Sequence, residues 1–309
     1  MKLVKICYRI RYYLRKSFGI DYSDFIYEAL ITWYYKIFKS KKQGIKPENR
    51  RKRKVIVSMT SIPPRIDKVW ITIESLLRQT YKPDKIILWL AQDEFLDVEL
   101  PIQLMEQQKR GLRIRYCDNL KSYKKFYYAA REHPEDYVVT VDDDIIYAED
   151  MLEELVKTYR KYPGGVVCHR SHHIETQRGR LCPYNEWINY GDRKHIDRTY
   201  SFRNFFTSGA GALFPIFRLK EEILARDAFM ELAPHADDVW LNFCAWVSGV
   251  KTINTKGILG YIITIESSSD KGLSKANIMY QRNDEQIERV LKYLEIDINR
   301  YLHEGSQKG

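Results

Sequence analysis

The chain has 309 residues, 44% hydrophobic and 30% charged, which describes a soluble globular protein and excludes disordered and fibrous classes. That length suits one large α/β domain with additions, or two small domains. The net charge of +10 is local: residues 1–54 hold 16 Lys and Arg against 4 Asp and Glu, leaving 35 basic and 37 acidic residues elsewhere. A nucleic-acid-binding fold usually spreads a basic face over its surface, so this distribution speaks against nucleic acid as a partner. The five cysteines (Cys7, Cys117, Cys168, Cys182, Cys244) show no CxxC spacing. They point to reduced thiols in a cytoplasmic setting, not to a disulfide framework.

The chain opens on MKLVKICYRIRYYLRKSFGI, which interleaves Lys and Arg with Ile, Tyr, Leu and Phe at helical spacing. FIYEALITWYYKIF follows, apolar and aromatic. Fourteen helical residues reach about 21 Å, short of a hydrocarbon core of about 30 Å. No small-residue cleavage site follows, so a signal peptide is not indicated. Two readings stay open: a helix lying on an anionic inner leaflet, peripheral to the cytoplasmic membrane, or a helical hairpin packed on the main domain. Residues 39–54 read as a solvated basic linker.

Past residue 54, strands and helices alternate. KVIVSM reads as a strand broken by the prolines of TSIPPRI. DKVWITIESLLRQT reads as a helix with Asp67 as its N-cap. DKIILWLAQ is a second strand, VELPIQLMEQQKRG a helix ending at Gly111, LRIRYC a third strand, SYKKFYYAAREH a third helix and DYVVTV a fourth strand. Such alternation predicts an α/β fold with a mainly parallel sheet covered on both faces, and ligands beyond the carboxyl ends of its strands. No internal repeat or low-complexity tract appears.

One of those ends carries Asp142, Asp143 and Asp144. Three adjacent carboxylates repel one another where water is thin. A divalent cation, Mg²⁺ or Mn²⁺, would neutralise them, with phosphate oxygens completing its shell. The alternative is an acidic turn capping the helix YAEDMLEELVKTY, but Glu149 and Asp150 already serve that helix's first turn, which leaves the triple aspartate unexplained.

VIVSMTSIPPRI, TIESLLRQTYKPDKIILWL and VTVDDDIIY together resemble bacterial glycosyltransferases of the family 2-like, GT-A type, over about residues 55–265. The resemblance implies a GT-A (Rossmann-like) fold and a transferase that uses a nucleotide-diphosphate sugar and a divalent metal. Carried over by position, Asp142 and Asp144 hold the metal, with Asp142 and Asp143 also on the nucleotide side. Thr60, Ser61, Pro63 and Arg65 fall where the family binds the nucleotide. Asp93 matches an acid facing the base, although Gln92-Asp93-Glu94 departs from the family's Asp-Asp-Gly. Lys124 and Lys125 stand where a cation near the diphosphate is useful, or line an exposed helix face. The implied organisation is a basic helical segment over 1–54, a transferase domain over 55–270 (nucleotide-sugar half 55–145, acceptor half 146–270) and a helical tail over 271–309.

In the second half, FFTSGAGALFP places Gly209 and Gly211 between apolar flanks, where glycine permits close approach to a ligand or a positive φ. The family carries a glycine-containing loop near donor sugar and acceptor. APHADDVWLNFCAWVSG puts Asp237 and Asp238 before an apolar helical stripe. Either could be an N-cap, but the position resembles the family's acidic motif, in which the last acid is the catalytic base of an inverting transfer. That assigns Asp238 as base and Asp237 as the acceptor-orienting residue. Between them, residues 169–205 are polar and irregular. Cys168, His169, His172, His173 and Cys182 match no standard zinc spacing. Tyr184, Trp187 and Tyr190 either stack on a sugar or pack the insertion down. His235 is a contact to metal or acceptor, or a structural residue.

The expected enzyme is a metal-dependent glycosyltransferase acting on a glycan or lipid-linked acceptor in bacterial surface polysaccharide synthesis. The alternatives are a Mg-dependent nucleotidyl or phosphoryl transferase, although no GxxxxGK[ST] loop occurs, and a non-catalytic membrane- or nucleic-acid-binding module built on the basic segment. Deleting residues 1–50 is expected to discriminate: a transferase keeps its chemistry and a binding module loses its activity.

Overall fold

The computed structural model describes residues 2–18, 24–46, 51–189, 199–255, 262–265 and 282–302. Two N-terminal helices, α1 (Leu3–Phe18) and α2 (Asp24–Ile37), precede β1 (Val55–Thr60), α3 (Ile66–Leu77), β2 (Lys85–Ala91) and the short α4 (Gln92–Phe95). There follow α5 (Ile102–Gln108), β3 (Leu112–Cys117), α6 (Lys124–Glu132), β4 (Tyr137–Thr140), α7 (Met151–Lys161) and β5 (Val166–Cys168). Short strands β6 (Ser171–His173), β7 (Thr176–Gln177), β8 (Arg180–Leu181), β9 (Ile188–Asn189) and β10 (Asn204–Phe206) fill the irregular region. β11 (Ala212–Pro215), α8 (Arg226–Leu232), α9 (Asp237–Val247), β12 (Thr252–Asn254) and C-terminal helices at Arg282–Tyr293 and Ile298–Leu302 complete the described chain.

The central sheet has the order β12-β5-β11-β4-β1-β2-β3. β1 pairs in parallel with β2 and β4, β2 with β3, and β5 with β12. β11 is antiparallel to both neighbours, β4 and β5. The expected mainly parallel α/β sheet is therefore present, with one reversed strand inside it. β1 and β2 are buried on both faces, which is why KVIVSM and DKIILWL read as continuous apolar runs and not as alternating ones.

The register sets the site. Ser58 pairs with Thr140, so the carboxyl ends of β1 and β4 arrive together at one rim. Ala212 also pairs with Thr140, from an antiparallel strand. The residues entering β11, Ser208 to Gly211, therefore lie on the same rim.

Local details differ from the sequence expectations. Asp67 is not the N-cap of α3; Arg65 holds that position and Asp67 lies in the first turn, where a carboxylate suits the helix dipole. The helix before β3 stops at Gln108, and Gly111 has a φ of +113° with Ile45 packed where a Cβ would stand. Glu149 and Asp150 do not cap α7, which has no side-chain cap bond. Glu149 instead accepts from the backbone N–H groups of Val4 (3.0 Å) and Lys5 (2.8 Å), capping α1, and Asp150 pairs with the Lys5 ammonium.

Those contacts pack the N-terminal hairpin on the domain. Val4, Cys7 and Tyr8 of α1 and Tyr27, Ile31 and Tyr35 of α2 belong to the same buried cluster as β1, β2 and α3. Tyr8 donates to the carbonyl of Ile146 (2.9 Å). Arg11 and Thr264 both bond the carboxylate of Asp24. The hairpin packs on the domain, and removing residues 1–50 would open the core; the deletion is not a neutral discriminator. Among the described residues no helix is long and apolar enough to cross a membrane.

Ile31→Ala, at a fully buried position of α2, should cost about 2–5 kcal/mol in a single cooperative unfolding transition. Urea denaturation measures it; an unmoved midpoint would mean that the hairpin is a separate appendage.

Candidate active site

Asp142, Asp143 and Asp144 follow the end of β4; Arg65 holds the last two and Lys125 the first. Asp143 turns inward: its carboxylate accepts from Ser61 Oγ (2.5 Å) and Arg65 Nη1 (2.9 Å), and its carbonyl from Thr72 Oγ1 (2.8 Å). Asp144 is part-exposed and meets the other side of Arg65 Nη1 at 3.0 Å. The TSIPPRI loop thus anchors the acidic motif through its serine and arginine. Thr60 does not join them; it donates to the Trp89 carbonyl (2.8 Å).

Asp142 has a partner of its own. Its Oδ1 accepts from Lys125 Nζ at 2.7 Å, and the same ammonium lies 3.3 Å from Asp237. Burial alone would push the Lys125 pKa down. The carboxylates of Asp142, Asp237 and Asp238 outweigh it and hold the ammonium well above its ordinary range. Lys125 is 4% exposed and Lys124 1%, so neither lies on an exposed helix face. Lys124 points to Glu94 and Asn119, both at 3.4 Å, and not to the aspartates. Asp93 sits exposed beside it, 3.4 Å from the Asn119 amide.

Asp237 and Asp238 begin α9, whose N-cap is Ala236 with no side-chain cap bond. They are not capping residues. Ser208 takes both: its N–H donates to Asp238 (2.8 Å) and its hydroxyl to Asp237 (3.0 Å). Burial first, and Asp237 second, raise the Asp238 carboxyl to about 7, against the opposing pull of Lys125 and Ser208. Asp144 is likewise raised, by burial and then by Asp142 and Asp143, with Arg65 opposing.

Gly209 explains why the rim needs a residue without a side chain. A Cβ there would stand 1.6 Å from Asp142 Oδ2. Its carbonyl also accepts from the Asp142 N–H (3.1 Å) and the Tyr147 hydroxyl (2.5 Å). Gly211 answers a different need, a φ of +100° at the turn into β11.

Ser208 and Tyr147 were not anticipated. Both lie within motifs already singled out, TSGAG and DDDIIY, one residue and three residues from an assigned position. Polar residues so close to a glycine turn and an acidic run were the available signal.

A cavity of about 140 Å³ opens beside the motif, lined by Pro64, Arg65, Asp67, Lys68, Asp143 and Asp144. A larger one, about 420 Å³, lies at the opposite end of the sheet among Arg51, Tyr81, Tyr137 and Arg160. That end is remote from the strand termini where such sheets bind ligands, and Arg51 and Arg53 there are engaged by Asp84 and Glu135. The smaller cavity lies at the strand ends, beside Asp143 and Asp144. Among the described residues no three His, Cys, Asp or Glu side chains converge on one metal position. The acidic motif still suits a hard cation: Asp144 lines this cavity, is only partly buried and shares Arg65 with Asp143. Asp142 and Asp144 then supply at most two carboxylates, the usual number for Mg²⁺ at a phosphate site.

In the insertion, His169 is buried against Thr255 Oγ1 (2.8 Å) and the Met151 carbonyl (3.1 Å), and burial lowers its pKa to about 4. Trp187 is buried, donating to the Cys182 carbonyl and packed on Phe205, so it holds the insertion down. Tyr184 packs beside it. Tyr190 lies outside the described residues, as do residues 271–281 and 303–309 of the tail. The backbone N–H of His235 donates to Gln286 (3.1 Å).

The sequence profile of Glycosyl transferase family 2 matches residues 65–221, just over half of the chain. The chain belongs to glycosyl transferase family 2. It is a glycosyltransferase, not a nucleotidyl transferase or a non-catalytic module. No curated protein matches the sequence. Among solved structures, the fold is similar to the mannosyltransferase PcManGT from Pyrobaculum calidifontis, solved with GDP-Man and Mn²⁺. The TM-score is 0.50 at 15% identity, over 91% of this chain and 76% of that one. Looser similarities are to residues 1–349 of S. aureus TarS (TM-score 0.45, 12% identity, 81% and 73% coverage) and to a 4-diphosphocytidyl-2C-methyl-D-erythritol synthase (0.44, 10%, 75% and 99%). At this identity the likeness concerns the fold, and this family 2 transferase shares the GT-A architecture.

Gly209→Ala should displace the Asp142 carboxylate and weaken nucleotide-sugar binding at least about tenfold while the fold persists. Calorimetry with circular dichroism checks this; unchanged affinity would mean that Asp142 is not placed by Gly209.

Proposed function

We propose that this glycosyltransferase moves a hexosyl unit, with inversion, from a nucleotide-diphosphate sugar to a glycan or lipid-linked acceptor. The pathway we assign is bacterial surface polysaccharide synthesis, at the cytoplasmic face of the membrane. The observation that carries this proposal is Lys125, one buried ammonium shared by Asp142 of the acidic motif and Asp237 of the α9 pair. It supports a single site with donor chemistry on one side and acceptor chemistry on the other.

The donor side comprises Thr60, Ser61, Pro63, Arg65, Asp93, Lys124, Lys125, Asp142, Asp143, Gly209 and Gly211. Their contacts support different tasks within it. Ser61 and Arg65 fix Asp143, and Asp143 in turn sets the direction of its neighbours. Asp142 and Asp144 would hold the divalent metal, Mn²⁺ or Mg²⁺, which when bound neutralises the diphosphate as leaving group. The Mn²⁺ and GDP-mannose in the Pyrobaculum structure agree with that choice of cofactor and donor class.

On the acceptor side, Asp238 takes the proton of the acceptor hydroxyl as its oxygen attacks the anomeric carbon. The bond from that carbon to the diphosphate breaks, and its electron pair leaves with the nucleoside diphosphate. Asp237, held by Ser208 and Lys125, orients the acceptor. A base must be deprotonated to act, and the Asp238 carboxyl is raised to about 7. Transfer should therefore be weak at acid pH, rise through about 7 and level off above it. The same shift lowers folding stability as pH rises from the ordinary carboxylate range through 7, because the folded state holds the proton more tightly than the unfolded chain.

Asp144→Asn is expected to abolish metal-dependent binding of the donor, measured by calorimetry; undiminished affinity would refute the metal role. Asp238→Asn should bind donor normally yet lose at least about a hundredfold in transfer and lose the rise near pH 7. A variant retaining near-normal turnover would remove Asp238 as base. A thermal-shift screen of UDP-, GDP-, dTDP- and CMP-sugars with Mn²⁺ selects the donor, and NMR of the product anomer tests inversion.

A further inference from the structure

Ten of the sixteen large hydrophobic side chains exposed among the described residues lie between Ile6 and Phe38. Their spacing is regular. Ile6, Ile10 and Tyr13 stand at i, i+4 and i+7 on α1, and Ile26, Leu30 and Trp33 repeat that spacing on α2. Each helix therefore carries one apolar face toward the core and a second, opposite one toward solvent. Trp33 is 60% exposed and Tyr13 62%. A soluble surface rarely gathers so many large apolar groups in one place without a partner.

Charge identifies the partner. Both described carboxylates of the hairpin are engaged inward, Asp24 with Arg11 and Thr264 and Glu28 with Lys68. Lys2, Arg9, Lys36, Lys39, Lys41 and Lys42 are exposed around the apolar face. A second copy of the chain would bring these cations against one another, so self-association is disfavoured. An anionic lipid surface complements both features, taking aromatic and aliphatic side chains at the headgroup boundary and Lys and Arg at the phosphates. Neither helix is long enough to cross a bilayer.

We propose that the outward face of the α1–α2 hairpin is a docking surface for an anionic bilayer and lies in its interface without crossing it. The proposal deepens the lipid-linked acceptor reading and rests on it for its purpose, but the surface stands on its own geometry. The hairpin's inner face grips the chain just past the acidic motif. Tyr8 bonds Ile146, Glu149 caps α1, and Asp24 bonds Thr264, which pairs with Ile145. Glu28 on α2 pairs with Lys68, which lines the cavity beside Asp144. Docking would therefore set the membrane beside the cleft, where an acceptor carried on a lipid arrives from the bilayer and not from bulk water.

The test is flotation of the full chain with vesicles of phosphatidylcholine alone and of phosphatidylcholine mixed with phosphatidylglycerol, at low and high salt. The chain should float only with the anionic vesicles, less so as salt rises. Leu30→Glu combined with Trp33→Glu should reduce partitioning about tenfold or more, while metal-dependent nucleotide-sugar affinity and solution mass stay unchanged. Failure of the parent chain to float, equal binding by the variant, or a dimer that dissociates in the variant would each overturn the proposal. Loss of donor binding with flotation intact would count against the sugar-transfer reading alone and leave the docking surface standing.

Discussion

One buried ammonium organises this molecule's rim. Lys125 arises from α6, contacts Asp142 at the end of β4 and Asp237 at the start of α9, and has almost no access to water. A lone buried lysine would shed its proton, and lone buried carboxylates would take one up. Asp142 and Asp237 keep the Lys125 ammonium charged, and removing that ammonium would leave the buried Asp237 without its ion-pair partner, a costlier loss than that of a surface pair. The two acidic motifs lie about ninety residues apart in sequence, and Lys125 makes them neighbours.

The sheet makes that meeting possible. In a purely parallel sheet every segment that enters a strand lies at the opposite rim. β11 runs the other way, so its entry segment crosses the rim and delivers Ser208 and Gly209 between β4 and α9. Ser208 steadies both acids of α9. Gly209, by lacking a side chain, leaves the space that the Asp142 carboxylate occupies. The FFTSGAGALFP segment is therefore a structural requirement of the acidic motif.

Much of this was legible in the chain itself. Buried parallel strands announce themselves as unbroken β-branched runs, and three carboxylates at the end of one cannot be explained by folding alone. Lys125 and the α9 acids were singled out, but their contact was not, because pairwise distance across topology leaves no mark on local pattern. Glu149 and Asp150 were misread for the same reason. As the last residues before a helix they look like its caps, whereas tertiary packing turns them to the N-terminus of α1, some 145 residues earlier. The N-terminal helices defeated a one-face reading because they are apolar on two faces, one for the core and one outward, so composition alone fits either packing or lipid. The insertion carries too little periodicity for its short strands to be foreseen.

The proposed site depends on Lys125 joining donor and acceptor chemistry in one charged unit. The most direct measurement is the pH–rate profile of Lys125→Met beside the parent enzyme, with Mn²⁺ and the nucleotide sugar that the enzyme uses. Loss of the ammonium should move the midpoint of the rise above 7 and depress transfer at every pH, because Ser208 alone then opposes the Asp238 proton. A midpoint that stays in place, with transfer near the parent level, would contradict the claim.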